Sequence, residues 1–395
     1  MSTSRNSSVA SFATASSHQN GQPNETPSSS IHPSKAADDE AVSHQAHVRG
    51  AAAVTNQEEP EWSPPANGPL KTPIPRPAKG CKPNAPPALT TEQELKYQTV
   101  LTAVSQWQTI PVHTHKVVQQ MPMQDYERMW LTRECILRYL RATKWVVANA
   151  LKRLQSTLSW RREYGADAFT AEYISPENET GKQLVLGYDK VGRPCLYLSP
   201  GLQNTKMSDR QINHLCFMVD RTVDMMPPGQ ESACLLINFK GAAKGTVPSV
   251  GQARAVLNIL QTHSPERLGC ALISELPWYV STFFKLISPF IDPVTREKMH
   301  FNEDLAKFVP VHQLWDKQPG GALKFEYDHP IYWKALNDEC KSRKEAYTQR
   351  WVAGGKQVGE YEEYLRGGNV PCKKVKEGNG GNVEVTREDL AKLSV

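Results

Sequence analysis

No run of about 18 uninterrupted apolar residues occurs in the 395-residue chain, so no membrane-spanning helix is expected. None of the eight cysteines, at 81, 135, 195, 216, 234, 270, 340 and 372, forms a C-x-x-C pair, which argues against a zinc or redox centre. Several sit inside apolar runs and read as small core residues. The opening MSTSRNSSVASF holds no apolar h-region, so secretion is not expected, and a cytosolic, thiol-reduced protein is. The eleven histidines show no metal-ligand spacing. A G-x-S-x-G elbow, an H-E-x-x-H pair, a P-loop and a G-x-G-x-x-G turn are all missing. The nearest glycine-rich piece, Gly241–Thr246, lacks the Walker spacing. No aromatic-plus-basic stripe points to nucleic acid. Nothing specific indicates an enzyme, and neither a cofactor nor a metal is expected.

Aromatic residues are scarce in one region above all. Residues 1–90 contain only Phe12 and Trp62, while ten prolines fall between Pro60 and Pro87. Such a stretch buries too little apolar surface to offset its ordering entropy, so it reads as a disordered, Ser/Pro-rich tail. It carries seven Lys/Arg and seven Asp/Glu, which leaves the whole excess of +5 in residues 91–395. A mildly basic folded part suits an anionic membrane surface, although so small an excess is also ordinary.

What remains is strongly patterned. Thr90 and Thr91 with Gln93 and Glu94 resemble a capping box, and helical sequence runs to Trp107. After a break at Pro111, helical sequence resumes from Gln124 to Trp145. A third helix covers Val147–Tyr164, stopped by Gly165. Residues 91–165 therefore form a helical lobe. The period then changes. Gln183–Tyr188 and Pro194–Leu198 read as strands of a hairpin around Gly192. Asp209–Met226 is an amphipathic helix, Ala233–Phe239 a buried strand, Val250–His263 a helix burying Val256, Leu257 and Leu260, and Gly269–Ser274 another buried strand. This alternation predicts an α/β fold with a mostly parallel sheet flanked by helices. A strand within Lys298–Val311 returns to the sheet. A basic helical extension and a loose tail occupy 334–395.

One constellation carries chemistry. Ser264–Gly269 (SPERLG) precedes a buried strand, and Asp292–Lys298 (DPVTREK) follows an apolar helix that spans 276–291. That helix holds Trp278, Tyr279, Phe283, Phe284, Ile287 and Phe290, with apolar positions almost all round. Charged loops thus flank a greasy element, which fits an amphiphile with a charged, hydroxylated head. Lys298 can pair with a phosphate, and Thr295 and Glu266 can bond to phosphate oxygen or ring hydroxyls.

The order of LRYLRATKW (137–145), WRREYG (160–165), YDKVGRP (188–194), NFKG (238–241), SPERLG and FFKLISPFIDPVTREK (283–298) resembles the CRAL-TRIO lipid-binding family, in particular its fungal phosphatidylinositol transfer members. The resemblance covers about residues 120–333. It implies a helical N-terminal lobe, then a lipid-binding domain over 166–333 with an apolar cavity and a movable gate helix. It also implies that Glu266, Thr295 and Lys298 bind the inositol phosphate. Of the basic pair that assists them in some members, only Lys144 matches, since Thr143 precedes it. Residues 242–250 (AAKGTVPSV) differ from the choline-lipid pattern. ENETGKQLVLGY, GLQNTK and GQE look most like the branch linked to sterol homeostasis and azole tolerance, which makes a sterol the candidate second ligand. A monomer is implied, with transient association with endoplasmic reticulum, lipid droplets or plasma membrane.

Plainer readings stand beside these. Glu266 and Lys298 could be an exposed ion pair worth under about 1 kcal/mol, and the aromatic helix could be core. A sterol carrier, a presenter of phosphatidylinositol to a lipid-metabolising enzyme, and a lipid-modifying enzyme are the rival functions.

Overall fold

The computed structural model describes residues 62–378, apart from 115, 116, 207, 244, 245, 247 and 248. Helix α1 (Thr91–Ser105) starts at a reciprocal cap. The Thr90 hydroxyl accepts from the Gln93 N–H at 3.2 Å, and the Gln93 side chain accepts from the Thr90 N–H at 3.1 Å. A hairpin follows, β1 (Thr109–Thr114) with β2 (Val117–Pro122). Sequence reasoning saw only a break there, because β2 is exposed along its whole length and shows no alternation. The region from Gln124 to Trp145 is two helices, not one: α2 (Asp125–Trp130) and α3 (Arg133–Ala142). The Thr132 hydroxyl accepts from the Cys135 N–H at 3.0 Å and so starts a new helix. Helix α4 (Val147–Tyr164) ends at Gly165, which takes the left-handed conformation a C-cap needs. Val100, Ile136, Leu140, Leu154 and Leu158 form the core of this lobe.

Next come a short α5 (Ala171–Ile174), β3 (Gln183–Tyr188), β4 (Pro194–Leu198), α6 (Asp209–Asp224), β5 (Ala233–Asn238), α7 (Val250–His263) and β6 (Leu268–Ser274). Helix α8 (Trp278–Ile287), α9 (Pro293–Glu297), β7 (Met299–Phe301) and the long α10 (His329–Ala353) complete the domain, followed by α11 (Glu362–Leu365) and α12 (Lys373–Gly378). The sheet order is β3-β4-β5-β6-β7; β3 and β4 are antiparallel and every other neighbour is parallel. The fold is therefore a mixed, mostly parallel α/β sheet behind a helical N-terminal lobe. Cys195, Cys234 and Cys270 lie abreast on β4, β5 and β6, buried together with Tyr197, Leu236 and Leu272.

Three expectations need correction. The proline-rich tail lies outside the described residues up to 61, but from 62 onward it is packed. Leu70 and Ile74 are buried, Leu70 bridges to Phe325, and the Tyr188 hydroxyl donates to the Pro75 carbonyl at 3.1 Å. Proline removes donors but leaves carbonyls and apolar rings to use, so an extended strap forms without regular structure. The extension beyond α10 is not loose as far as it is described: Val358, Glu360, Glu362 and Leu365 are buried. Residues 379–395 lie outside the described residues. On α7, Val256, Leu257 and Leu260 are only half-buried, and Ala253 alone is buried. Among the described residues no helix is long and apolar enough to cross a membrane.

Candidate functional site

Glu266 sits in the loop between α7 and β6, with φ +59. A left-handed backbone is costly for a residue with a Cβ and aims its side chain away from the loop. The carboxylate accepts from Arg141 Nε at 2.6 Å, across to the end of α3. Asp292 caps α9 by accepting from the Thr295 N–H at 2.8 Å, and Gln261 Nε2 donates to the same carboxylate at 3.1 Å. Burial alone would raise the Asp292 pKa, but the hydrogen bonds from Thr295 and the nearby Lys298 bring it below the ordinary value. Lys298 ends α9, and its Nζ donates to the Leu268 carbonyl at 2.7 Å. Burial pushes this ammonium down from its usual range. Glu266 and Asp292 oppose that shift, while Arg193 and Arg141 add to it.

The fold thus brings Glu266 and Lys298 into one electrostatic cluster, with Thr295 one helical turn before Lys298. Lys144 stands apart. It is exposed, with φ +53, and no described contact joins it to the other three. Arg141, Arg193 and Asp292 were missed from the sequence. Arg141 lies within LRYLRATKW, where Arg138 and Arg141 repeat at i, i+3 on a helix that is otherwise apolar from Cys135 onward. That spacing puts both guanidiniums on one face and was the available signal. The segment 242–250 is described only in part.

The apolar side of the cluster is α8. Val280 and Ile287 are buried, while Tyr279, Phe283 and Phe284 are half-buried and Phe290 is exposed. Trp278 is 76% exposed, and Leu286, Val294 and Phe301 are exposed too. Phe284 meets Phe239 at 6.1 Å and Phe301 at 5.3 Å, both edge-on. The Tyr279 hydroxyl donates to the Ala242 carbonyl. On the central strand β5, Cys234 and Leu236 are buried whereas Leu235 and Ile237 are only half-buried. A parallel sheet normally covers both faces. Half-buried apolar residues on β5, α7 and α8 together leave greasy surface incompletely covered beside the charged cluster.

Residues 178–321 match the CRAL/TRIO domain and residues 96–156 the CRAL/TRIO N-terminal domain. A CRAL-TRIO domain-containing protein of Schizosaccharomyces pombe is 52% identical over 304 residues, 76% of this chain but 30% of that protein. Phosphatidylinositol transfer protein PDR17 of Saccharomyces cerevisiae is 38% identical over 258 residues, covering 62% of this chain and 73% of PDR17. SEC14 cytosolic factor of Candida glabrata is 30% identical over 213 residues, 47% of this chain and 69% of that one. With a helical lobe and a mostly parallel sheet matched in the same order as the two domain signatures, the chain belongs to the CRAL-TRIO family.

Proposed function

We propose that the chain binds phosphatidylinositol and exchanges it between membranes without covalent chemistry. The headgroup lies against Glu266, Thr295 and Lys298, with Lys144 at the rim, and the acyl chains lie beneath α8. One observation carries the reading: a half-buried ammonium and a carboxylate held by Arg141 adjoin a helix with Trp278 turned to solvent. The relatives named for phosphatidylinositol transfer support the choice of lipid. Each buried methylene contributes about 0.8 kcal/mol, so two acyl chains oppose release into water by roughly 20 kcal/mol or more. Exchange therefore takes place on a membrane. In this reading the exposed aromatic and aliphatic side chains of α8 dock, the helix swings aside, and one lipid replaces another. Lys298 and Arg141 supply positive charge to the phosphate, and Glu266 accepts from ring hydroxyls.

Vesicle-to-vesicle transfer of phosphatidylinositol tests this, with Lys298→Ala and Glu266→Ala as variants. Both should lose most transfer, and unchanged transfer in both sinks the assignment. Mass spectrometry of lipids extracted from the purified chain reads the ligands directly. A sterol beside phosphatidylinositol would establish the second ligand. Bound phosphatidylinositol without transfer would favour presentation to a lipid-metabolising enzyme.

A further inference from the structure

We propose that an arginine-lined cavity on the other side of the Ser264–Gly269 loop binds a small ligand carrying several phosphate groups, at a site separate from Lys298. The cavity measures about 750 Å³ and lies among α6, α10, the Glu362–Gly367 segment and the N-terminal lobe. That volume suits a compact metabolite-sized ligand. Ser264, Pro265 and Arg267 line it, while Glu266 between them turns away to Arg141. One loop therefore has two faces, one for each site.

Charge identifies the ligand class. Nine cationic residues line the cavity against six acidic ones. All six acids are paired: Glu127 by Arg162 at 2.6 Å from outside the lining, Asp167 and Asp220 by Arg161 at 2.6 and 2.8 Å, Asp224 by Arg221 at 3.3 Å, Glu339 by Arg343 at 2.6 Å and Glu362 by Arg138 at 2.6 Å, which leaves the cationic excess unneutralised. Two guanidiniums are left with unmet hydrogen-bonding capacity. Arg221 Nε and Arg366 Nε are both buried without an acceptor. Other nitrogens of both are engaged: Arg366 Nη1 donates to the Val223 and Met226 carbonyls at 3.0 and 3.1 Å, its Nη2 approaches the Glu362 carboxylate only at 4.0 Å, and Arg221 Nη2 pairs with Asp224 at 3.3 Å. An unmet buried donor is costly, so an oxygen-rich anion gains by entering. The Arg221 guanidinium lies over the Phe217 ring at 4.7 Å and Arg366 over Tyr347 at 5.7 Å. Stacking occupies the faces and leaves the in-plane Nε–H of each for a phosphate oxygen. Two such donors, on a lining with more cationic than acidic residues, favour a ligand with more than one phosphate group.

The cavity also communicates with the headgroup cluster. Glu231 is shared by Arg138 of the cavity, at 2.8 Å, and Arg141, at 3.2 Å. An anion that draws Arg138 away frees Glu231 to hold Arg141 more tightly, in competition with Glu266.

The test is calorimetric titration of the full chain with inositol hexakisphosphate, and separately with vesicles containing phosphatidylinositol 4,5-bisphosphate. The expected result is saturable, salt-sensitive binding of the soluble probe, weakened roughly tenfold by Arg221→Gln and about threefold by Lys344→Gln at the exposed rim. Lys298→Ala, outside the cavity, should bind as tightly as the parent. Binding confined to the vesicles, with the same variant pattern, supports the site and assigns its phosphates to a lipid headgroup. Three results overturn the proposal: no saturable binding of either probe, parental affinity in both cavity variants, or loss of binding in Lys298→Ala. Thermal melting shows whether Arg221→Gln is folded, and if it is not, Lys344→Gln decides alone.

Discussion

Arg141 donates from Nε to the Glu266 carboxylate at 2.6 Å, tying the end of α3 to a loop 125 positions further along the chain. Both side chains are about one-third exposed, so this pair contributes little to stability, about 1 kcal/mol at most. Its effect is to place a carboxylate. Arg141→Ala should therefore shift the melting temperature little but lower phosphatidylinositol transfer roughly five- to tenfold, equivalent to about 1–1.4 kcal/mol of binding. Unaltered transfer would remove Arg141 from the site.

Glu266 offers a sharper separation of stability from function. Its φ of +59 is a conformation glycine adopts freely. Glu266→Gly should relieve about 1 kcal/mol of backbone strain, offsetting the lost ion pair, and leave urea denaturation within about 1 kcal/mol of the parent. The same variant should lose phosphatidylinositol transfer. A large loss of stability would show that Glu266 holds the loop together rather than reading a ligand.

Trp278 is 76% exposed on α8. Trp278→Ala should change stability by less than about 0.5 kcal/mol, since exposed positions away from special contacts seldom matter more. Vesicle co-sedimentation should nonetheless fall severalfold, because an indole at a membrane surface buries its apolar body. Equal co-sedimentation would exclude this end of α8 from docking.

His214 is fully buried on α6, with neither ring nitrogen hydrogen-bonded. Burial holds its pKa down at about 3; Lys182 adds to this and Glu177 opposes it. In the unfolded chain the imidazole titrates near 6.5, so between about 3 and 6.5 the unfolded state binds more protons. Stability from His214 is thus present above pH 6.5 and lost as pH falls, by about 2 kcal/mol at pH 5. Glu134 acts in the opposite direction. Burial and then the neighbouring Glu362 raise it to about 7. The folded state binds its proton more tightly, so its contribution weakens as pH rises from about 4.3 to 7. Comparing denaturation of the parent and His214→Leu across pH 4–7 isolates the histidine: the variant should lose less stability on acidification.

Ile74, 1% exposed in the extended strap, is the last test. Ile74→Ala should cost about 2–4 kcal/mol in urea denaturation, as for a core position. A change under about 0.5 kcal/mol would mean that the strap is merely laid on the surface.

Much of this architecture is written locally. Val147–Tyr164, Gln183–Tyr188, Pro194–Leu198 and Val250–His263 are the same elements in sequence and structure, because each is bounded by a residue with a specific backbone task. Gly165 and Gly192 take positive φ at the ends of a helix and a turn, and Ser249 caps α7. The hairpin over 109–122 was not legible, since β2 buries nothing that would mark a period. The strap was hidden for a different reason: Leu70 and Ile74 are isolated apolar residues whose partners come far later. The headgroup candidates stood out because Glu266, Thr295 and Lys298 bracket α8 closely in sequence. Arg141 did not: its i, i+3 spacing from Arg138 is a faint signal, and what distinguishes it is a contact 125 positions away along the chain.

The strap also sets a timetable for synthesis. Leu70 pairs with Phe325, and Lys71 reaches Asp328, 257 positions later. At roughly 5–20 residues per second, a ribosome needs on the order of 13–50 s to deliver those partners after the strap has emerged. Throughout that interval Leu70 and Ile74 wait without the partners that later bury them, and the nascent chain shows both to its surroundings.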